Sequence, residues 1–228
     1  LELGKPSAEL FAMPFRVNWE ELPSSVTLEH ERLVARVEEA MRDGADLHYS
    51  VVGHLLGSYS LAIINRSVAT TLEDNFSGRT HFRPYETDPI YHTEGVPKAQ
   101  QPLMIELCAR SLPPAEQEVV ISQHWPILAP SWKPRLAFSL FPWEETHVPK
   151  GIVDTLTEGF DAVISPTKFV SDALGISGCS LPVATIGQPV ELQPFWDIAS
   201  LRTSKVRLRQ FLHISSCFPR KGVDVLLK

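Results

Sequence analysis

Cysteine is scarce in this chain, and the cysteines present are far apart. The 228 residues include three, Cys108, Cys179 and Cys217, with no short spacing between any two. A disulfide framework uses an even set of cysteines, and a zinc site uses pairs at short spacing. The sequence predicts neither. It favours a reducing, cytoplasmic compartment in which each cysteine behaves as a small apolar residue.

Long apolar runs are also missing. No stretch approaches the roughly 18 consecutive apolar residues that a membrane helix needs, and the N-terminus lacks the charged and then apolar pattern of a signal peptide. We therefore expect a soluble protein, and a membrane-surface association through segments outside this sequence stays open. Because the first residue is Leu1 rather than Met, we also expect a processed or truncated N-terminus.

The composition that remains is that of a globular protein. It is 43% hydrophobic and 21% charged, with five tryptophans and eleven phenylalanines. These values allow a sizeable core and exclude a disordered or low-complexity chain. At roughly 100–200 residues per domain, the length suits one large domain, or one domain and part of another.

The charge is unevenly distributed along the chain. Residues 1–200 carry 14 basic and 26 acidic residues, a balance of −12, whereas residues 201–228 carry 7 and 1, a balance of +6. A sharp change of this kind indicates a domain boundary with an anionic ligand near the second segment. A solvated basic linker explains the local composition equally well.

Short apolar runs alternate with stretches of helical periodicity. The apolar runs predict strands at residues 48–56, 80–86, 118–123, 135–141, 161–165 and 181–186. The periodic stretches predict helices at residues 26–43, 59–73, 101–111 and 151–159, and one capped by Thr167. This alternation indicates βαβ units, hence an α/β fold with a Rossmann-like parallel sheet wound on both faces. Pro84 points to an edge position or an early stop for the second strand.

Two of the predicted helices have apolar stripes. In the helix at 26–43 the stripe includes Val34 and Ala40, Ser24 or Ser25 can cap its start, and Gly44 can end it. In the helix at 59–73 apolar residues fall on two stripes, and we expect it to be largely covered.

Four segments follow from these elements. Residues 1–46 are a lead-in with one helix, residues 47–195 form the Rossmann-like domain, and residues 196–209 form a linker. Residues 210–228 are predicted to open a second domain, with a strand at 211–215 and a helix from Gly222.

Two turns between a strand and a helix are candidate anion sites, because ligands of open α/β sheets lie beyond the carboxyl ends of the strands. In the first turn, residues 57–60 (GSYS), a glycine permits close approach and serines add donors. The alternative is a plain turn with Ser58 as the helix cap. The second turn, residues 216–222 (SCFPRKG), has Arg220 and Lys221 at a helix start, where the dipole disfavours cations unless an anion lies between them. This suits a phosphate clamp, and the alternative is a solvated basic turn.

Two further segments follow strands. His124 and Trp125 stand in a Gln-His-Trp-Pro segment after the third strand. This histidine suits proton transfer or a sugar hydroxyl, although a histidine that only ends a strand is the commoner case. After the fourth strand, residues 141–149 (FPWEETHVP) contain Trp143, Glu144, Glu145 and His147. Aromatic rings stack on sugar faces and carboxylates hold hydroxyl pairs, so this loop suits a carbohydrate, with Trp143 as core filler the alternative. The other histidines, His54 among them, show no ligand spacing and are predicted to be structural.

In their order along the chain these motifs resemble the GT-B glycosyltransferases of the family 4 type, retaining enzymes that use nucleotide-sugar donors. Residues 57–66 (GSYSLAIINR) resemble the first turn and helix of the acceptor domain. Residues 141–149 and 160–170 resemble the family's WE…P and D-x-V-x-x-[PS]-[ST]-x-[FW]-V runs. Residues 186–190 (IGQPV) stand where the family has a Gly-Val/Ile-Asp turn. Residues 211–227 (FLHISSCFPRKGVDVLL) resemble the opening of the donor domain, with its P-x-K-G segment.

Residue chemistry and this resemblance together assign a role to each candidate. The donor-binding set comprises Gly57, Ser58, Ser216, Arg220, Lys221 and Gly222. The acceptor-binding set comprises Tyr59, Trp125, Trp143, Glu144, Glu145 and His147, and His124 is the catalytic candidate. The resemblance implies that Lys221 contacts the donor diphosphate. Ser216 stands where the family often has an arginine, and Arg220 is the candidate substitute.

The predicted function is transfer of a sugar from a nucleotide-sugar donor to a saccharide or other acceptor. The resemblance implies no metal requirement, which fits the absence of a DxD motif, and it implies no cofactor beyond the nucleotide sugar and no nucleic-acid partner. The family's Glu-x7-Glu motif is not in this sequence, so we expect this chain alone to be a poor or inactive enzyme. Two alternatives are a GT-B relative that has lost catalysis and binds sugar or protein, and a flavodoxin-like or Rossmann binding module unrelated to sugars.

Overall fold

Six parallel strands form the centre of the structure, a computed structural model that describes residues 24–42, 46–86 and 95–187. The strands are β1 (His48–Gly53), β2 (Thr80–Pro84), β3 (Glu118–Gln123), β4 (Leu136–Leu140), β5 (Ala162–Ser165) and β6 (Val183–Thr185). Their order is β2-β1-β3-β4-β5-β6, and every neighbouring pair is parallel. This α/β arrangement is compatible with a Rossmann-like fold, and β2, which Pro84 ends, lies at an edge of the sheet.

Among the described residues, one helix precedes the sheet and the others connect its strands, except that the segment between β3 and β4 contains no helix. The helices are α1 (Ser24–Arg42), α2 (Ser60–Asn75), α3 (Gln101–Ala109), α4 (Lys150–Gly159) and α5 (Lys168–Ile176), and a short 3-10 turn, Ala115–Gln117, precedes β3. Thr167 caps α5 as predicted, since its side chain accepts a hydrogen bond from the Val170 N–H. Across residues 24–42, 46–86 and 95–187, no helix is long and apolar enough to cross a membrane.

Two apolar clusters pack on opposite faces of the sheet. On one face, Val51 and Phe82 lie side by side in β1 and β2 and pack against α2 and α3. On the other face, Ala137 and Val163 pack against α4 and α5. Leu156 of α4 is fully buried in this cluster. Side chains alternate along a strand, so helices on both faces are what these buried positions require.

Several details of the predicted helices are wrong. Ser24 and Ser25 lie inside α1 rather than before it. On α1 Ala40 is buried, but Val34 is 41% exposed. On α2, Ile63 is 46% exposed, whereas the polar Asn65 and Arg66 are buried.

The buried polar residues of α2 have a structural reason. Asn65 donates to the carbonyl oxygens of His54 and Gln123, and Arg66 donates to those of Leu55 and Gly57. These carbonyls lie at the ends of β1 and β3, where the sheet ladder no longer supplies a donor. Buried carbonyls need a partner, so α2 presents amide and guanidinium groups to the sheet where the pattern favoured apolar ones.

Part of the predicted organisation lies outside the described residues. This applies to the lead-in before Ser24, to Gly44, to the linker at 196–209, and to the strand and helix of the predicted second domain.

Candidate functional site

An aromatic cluster lies where the three strands β1, β2 and β3 end. It comprises His54, Tyr59, Tyr85 and His124. The imidazoles of His54 and His124 stack with 4.4 Å between ring centroids and 15° between planes. The Tyr85 ring lies 4.0 Å from that of His124, and the Tyr59 ring meets His54 edge-on at 5.5 Å. These strands are neighbours in a parallel sheet, so the residues that follow them converge on one edge.

His124 has one ring nitrogen committed to the backbone. Its Nδ1 lies 2.5 Å from the carbonyl oxygen of Pro126. A carbonyl only accepts, so Nδ1 carries a hydrogen, and in the neutral ring the lone pair then resides on Nε2. That Nε2 is buried and has no hydrogen-bond partner among the described residues. Leaving a buried acceptor unpaired costs roughly 1–3 kcal/mol, and nothing among the described residues offsets that cost at His124.

His54 is supported by a carboxylate. Its Nδ1 lies 3.6 Å from Oε1 of Glu86, whose carboxylate accepts hydrogen bonds from the backbone N–H groups of Leu55 at 3.0 Å and Leu56 at 3.1 Å. Glu86, just after β2, is thereby held against the turn that follows β1. Sequence reasoning treated His54 as structural and missed its place in the cluster. Its position directly after a buried strand, the same as that of His124, is the signal that finds it.

The turn at residues 57–60 begins α2 without a side-chain cap. The N-cap residue is Tyr59 rather than Ser58, and its side chain does not bond to the helix. Gly57 has a φ of +98°, and a Cβ on Gly95 would lie 2.3 Å from the Gly57 nitrogen. The two glycines thus bring two backbone segments into contact. Of the predicted donor residues in this turn, Ser58 is exposed and Gly57 is partly covered.

Burial and nearby charges shift the pKa of Tyr59 in this turn. Burial raises the pKa of Tyr59, Glu86 raises it further, and Arg66 opposes that shift. Burial also lowers the pKa of Arg66, although its guanidinium has carbonyl and amide oxygens as partners.

A cavity of about 250 Å³ opens beside the aromatic cluster. Its lining is mostly apolar and comes from the ends of β1 and β2 and from the segment after β3: Val52, Gly53, Arg83, Pro84, Tyr85, His124, Leu128 and Trp132. The cavity therefore lies against the last residues of β1 and β2, next to the edge at which an open α/β sheet binds ligands.

A buried carboxylate, Glu118, holds two residues of the cavity lining, Arg83 and Trp132. Glu118 is fully buried, and its Oε1 accepts from Nε of Arg83 at 3.0 Å and from its Nη2 at 2.7 Å. The Ser50 hydroxyl donates a hydrogen bond to the same carboxylate oxygen, and the indole N–H of Trp132 donates to Oε2 at 2.7 Å. The guanidinium of Arg83 lies 4.1 Å over the Trp132 ring. A buried carboxylate is tolerable only with such a complete set of partners.

The loop after β4 belongs partly to the core. The Trp143 ring is half-buried, stacks on Phe141 at 5.7 Å, and donates its indole N–H to the His147 carbonyl at 3.1 Å. Nδ1 of His147 lies within hydrogen-bond distance of Ser177 Oγ, at 3.2 Å. Trp143 also lies 6.0 Å from Trp125, which is 50% exposed. This contact links the loop to the segment that carries His124.

The structure thus brings four predicted residues to one edge of the sheet: Tyr59, His124, Trp125 and Trp143. Glu144 and Glu145 are exposed on the loop after β4. The predicted donor residues Ser216, Arg220, Lys221 and Gly222 lie outside the described residues. Within the part of the chain that the structure describes, no group of three or more His, Cys, Asp or Glu side chains is arranged to hold a metal ion.

Comparison with known proteins gave no match, whether to protein-family models, to curated protein sequences or to solved structures.

Proposed function

We propose that this chain is the acceptor-binding half of a GT-B-type glycosyltransferase of the family 4 type, which transfers a sugar from a nucleotide-sugar donor to an acceptor hydroxyl. The observation that carries the proposal is the aromatic cluster, which places an oriented imidazole beside a cavity at the carboxyl ends of β1, β2 and β3. The motif resemblance at residues 57–66, 141–170 and 211–227 supports it from the sequence.

The roles of the described residues follow from their chemistry. His124 lines the cavity with Nδ1 committed to Pro126, and we assign it to the sugar hydroxyl that reacts. His54 holds the His124 ring in place by stacking, and Glu86 lies against His54. Trp125 offers an exposed ring face to the acceptor, and a sugar ring's C–H face is apolar enough to pack on it.

Among the described residues, the donor is assigned to the start of α2. The first N–H groups of α2 have no side-chain cap, and free N–H groups at a helix start stabilise an anion. Lys221 and Arg220, from the sequence motif, neutralise the charge that develops on the departing nucleotide diphosphate. Bond breaking at the sugar then needs no metal ion.

A turnover screen tests this proposal. The protein that carries this sequence, with its donor half, is incubated with a panel of nucleotide sugars and acceptors, and the release of nucleotide diphosphate is measured. We expect one donor to be consumed. Lys221→Ala and His124→Ala should each lower kcat/KM by at least about 100-fold, in the range that loss of one transition-state contact gives. Phe169→Ala, an exposed aromatic on α5, is the matched control and should leave turnover unchanged.

The other outcomes are equally informative. Full turnover by Lys221→Ala contradicts the donor assignment, and full turnover by His124→Ala contradicts the role of His124. Sugar binding without turnover of any donor favours the non-catalytic relative. Failure to bind any sugar or nucleotide leaves the Rossmann-type binding module.

A further inference from the structure

We propose that the cavity beside His124 is an acceptor subsite for a single uncharged sugar ring and that it excludes rings bearing a carboxylate or a phosphate. This inference rests on the proposed function and specifies its acceptor.

The first argument is the charge of the cavity wall. Arg83 is the charged residue that lines the cavity, and Glu118 balances it through two hydrogen bonds to one carboxylate oxygen. Because Glu118 is fully buried, solvent does not weaken this pairing. An anionic ligand would therefore lose its hydration without meeting an uncompensated cation, and that loss is large in a mostly apolar pocket.

The second argument is size and surface. The volume of about 250 Å³ lies just below the roughly 300–1,000 Å³ typical of pockets for drug-sized molecules, so one ring fits better than a disaccharide. Val52, Pro84 and Leu128 give apolar walls, and Tyr85 and Trp132 give ring faces. A pyranose, which has apolar C–H faces and a polar rim, matches this combination.

The third argument is hydrogen-bond direction. Two lining residues have their ring N–H groups already engaged, His124 with the Pro126 carbonyl and Trp132 with Glu118. An ionised carboxylate only accepts hydrogen bonds, so neither ring N–H is free to donate to it, whereas a sugar hydroxyl can also donate.

The experiment is a ligand titration of the whole chain followed by NMR. The probes are methyl glycosides of glucose, galactose and mannose, each paired with the analogue that carries a carboxylate or phosphate at carbon 6. The reporter is the indole N–H resonance of Trp132. We expect at least one neutral glycoside to shift this resonance, and its charged partner to bind at least about tenfold more weakly, a difference of about 1.4 kcal/mol.

Two exposed positions provide variants that do not disturb the buried ion pair. Tyr85→Ala removes a ring from the cavity wall and should weaken the neutral glycoside at least about tenfold, whereas Phe169→Ala should not. Leu128→Lys adds an uncompensated cation and should reverse the preference toward the charged analogue. Ile176→Lys, on the 75% exposed Ile176 of α5, adds the same charge elsewhere and should leave the preference unchanged.

Three results would overturn the inference. They are equal or tighter binding of the charged analogue, no shift of the Trp132 resonance with any glycoside, and a preference that Leu128→Lys does not change. The proposed function fails separately, since it requires donor turnover. An enzyme that consumes a nucleotide sugar but whose chain prefers charged glycosides keeps the function and loses the neutral subsite.

Discussion

At the carboxyl ends of β1, β2 and β3 the chain leaves rings exposed beside a cavity, whereas after β4 and β5 the same edge of the sheet is closed by core residues. On the open side, Tyr85 and Trp125 are each at least half exposed. On the closed side, Phe141 and Val148 are buried, and Trp143 satisfies its indole within its own loop.

The interior differs in the same way. Beneath the open side, the sheet face carries a buried carboxylate with an arginine, a serine and an indole around it. Beneath the closed side, the sheet face carries apolar residues packed on α4 and α5. An apolar core provides stability, whereas a satisfied polar network fixes side chains in one arrangement at the edge of a ligand site. The function that we propose accordingly uses the β1–β3 half as its ligand site and the β4–β6 half as its support.

The largest expected effect is on the free energy of unfolding, and it tests the difference between the two halves directly. Glu118→Ala removes a fully buried carboxylate that accepts hydrogen bonds from Arg83 and Trp132, and should lower the free energy of unfolding by about 3–5 kcal/mol. Leu156→Ala, on the apolar side, should lower it by about 2–5 kcal/mol through a cavity. Urea unfolding measures both. The two variants should differ in sugar binding by the folded protein, which only Glu118→Ala disturbs. An equal loss of binding in both would remove the distinction between the halves.

The next effect depends on pH. Hydrogen bonds from Arg110 hold the pKa of Glu73 down at about 2, with the Gly78 N–H adding to the shift and burial opposing it. An unfolded glutamate titrates at about 4.3, so this stabilisation is present above that pH and is lost as the pH falls toward 2. Between pH 6 and pH 3, the wild type should lose more stability in urea unfolding than Glu73→Gln does.

An exposed carboxylate on the closed side serves as the control for that experiment. Glu158→Gln, on α4, should follow the wild type across the same pH range. Identical acid sensitivity in Glu73→Gln and wild type would mean that the Glu73–Arg110 pair does not carry the effect.

The smallest effect on stability is expected for two exposed aromatic residues, whose replacement distinguishes a role in ligand binding from a role in folding. Trp125 is 50% exposed on the open side and Phe169 is 47% exposed on the closed side. Replacing either by alanine should change the free energy of unfolding by less than about 1 kcal/mol, because little packing is lost. Only Trp125→Ala should weaken acceptor binding, measured by the same glycoside titration. Loss of binding in Phe169→Ala would show that exposed rings on both sides contribute.

The secondary structure was largely predictable, and particular residues show why. The run EVVISQ is β3 with the predicted ends, and Thr167 caps α5 as expected. Both depend on local patterns, an apolar run and a capping residue, which neighbours in the sequence determine. Helix α2 was predicted in position and as largely covered, but not which residues it buries, because Asn65 and Arg66 meet carbonyls at the ends of β1 and β3.

The candidate site was predictable only in part. His124 and Trp125 were identified because they follow a clear strand. Their neighbour His54 was not, because 70 positions along the chain separate it from His124. The Glu118–Arg83 pair gave no signal either, since a lone charged residue at a strand start is usually exposed.

The sequence by itself determined that alternating strands and helices form a parallel α/β sheet, and that the chemistry-bearing residues follow the strands, because both depend on short-range periodicity. Only the tertiary structure decided the order β2-β1-β3 and with it the meeting of His54, Tyr85 and His124 at one edge. It also decided that Glu118 reaches Arg83 and Trp132. Strand order and buried ion pairs depend on contacts between residues far apart in sequence, and these contacts form only when the sheet assembles as a whole.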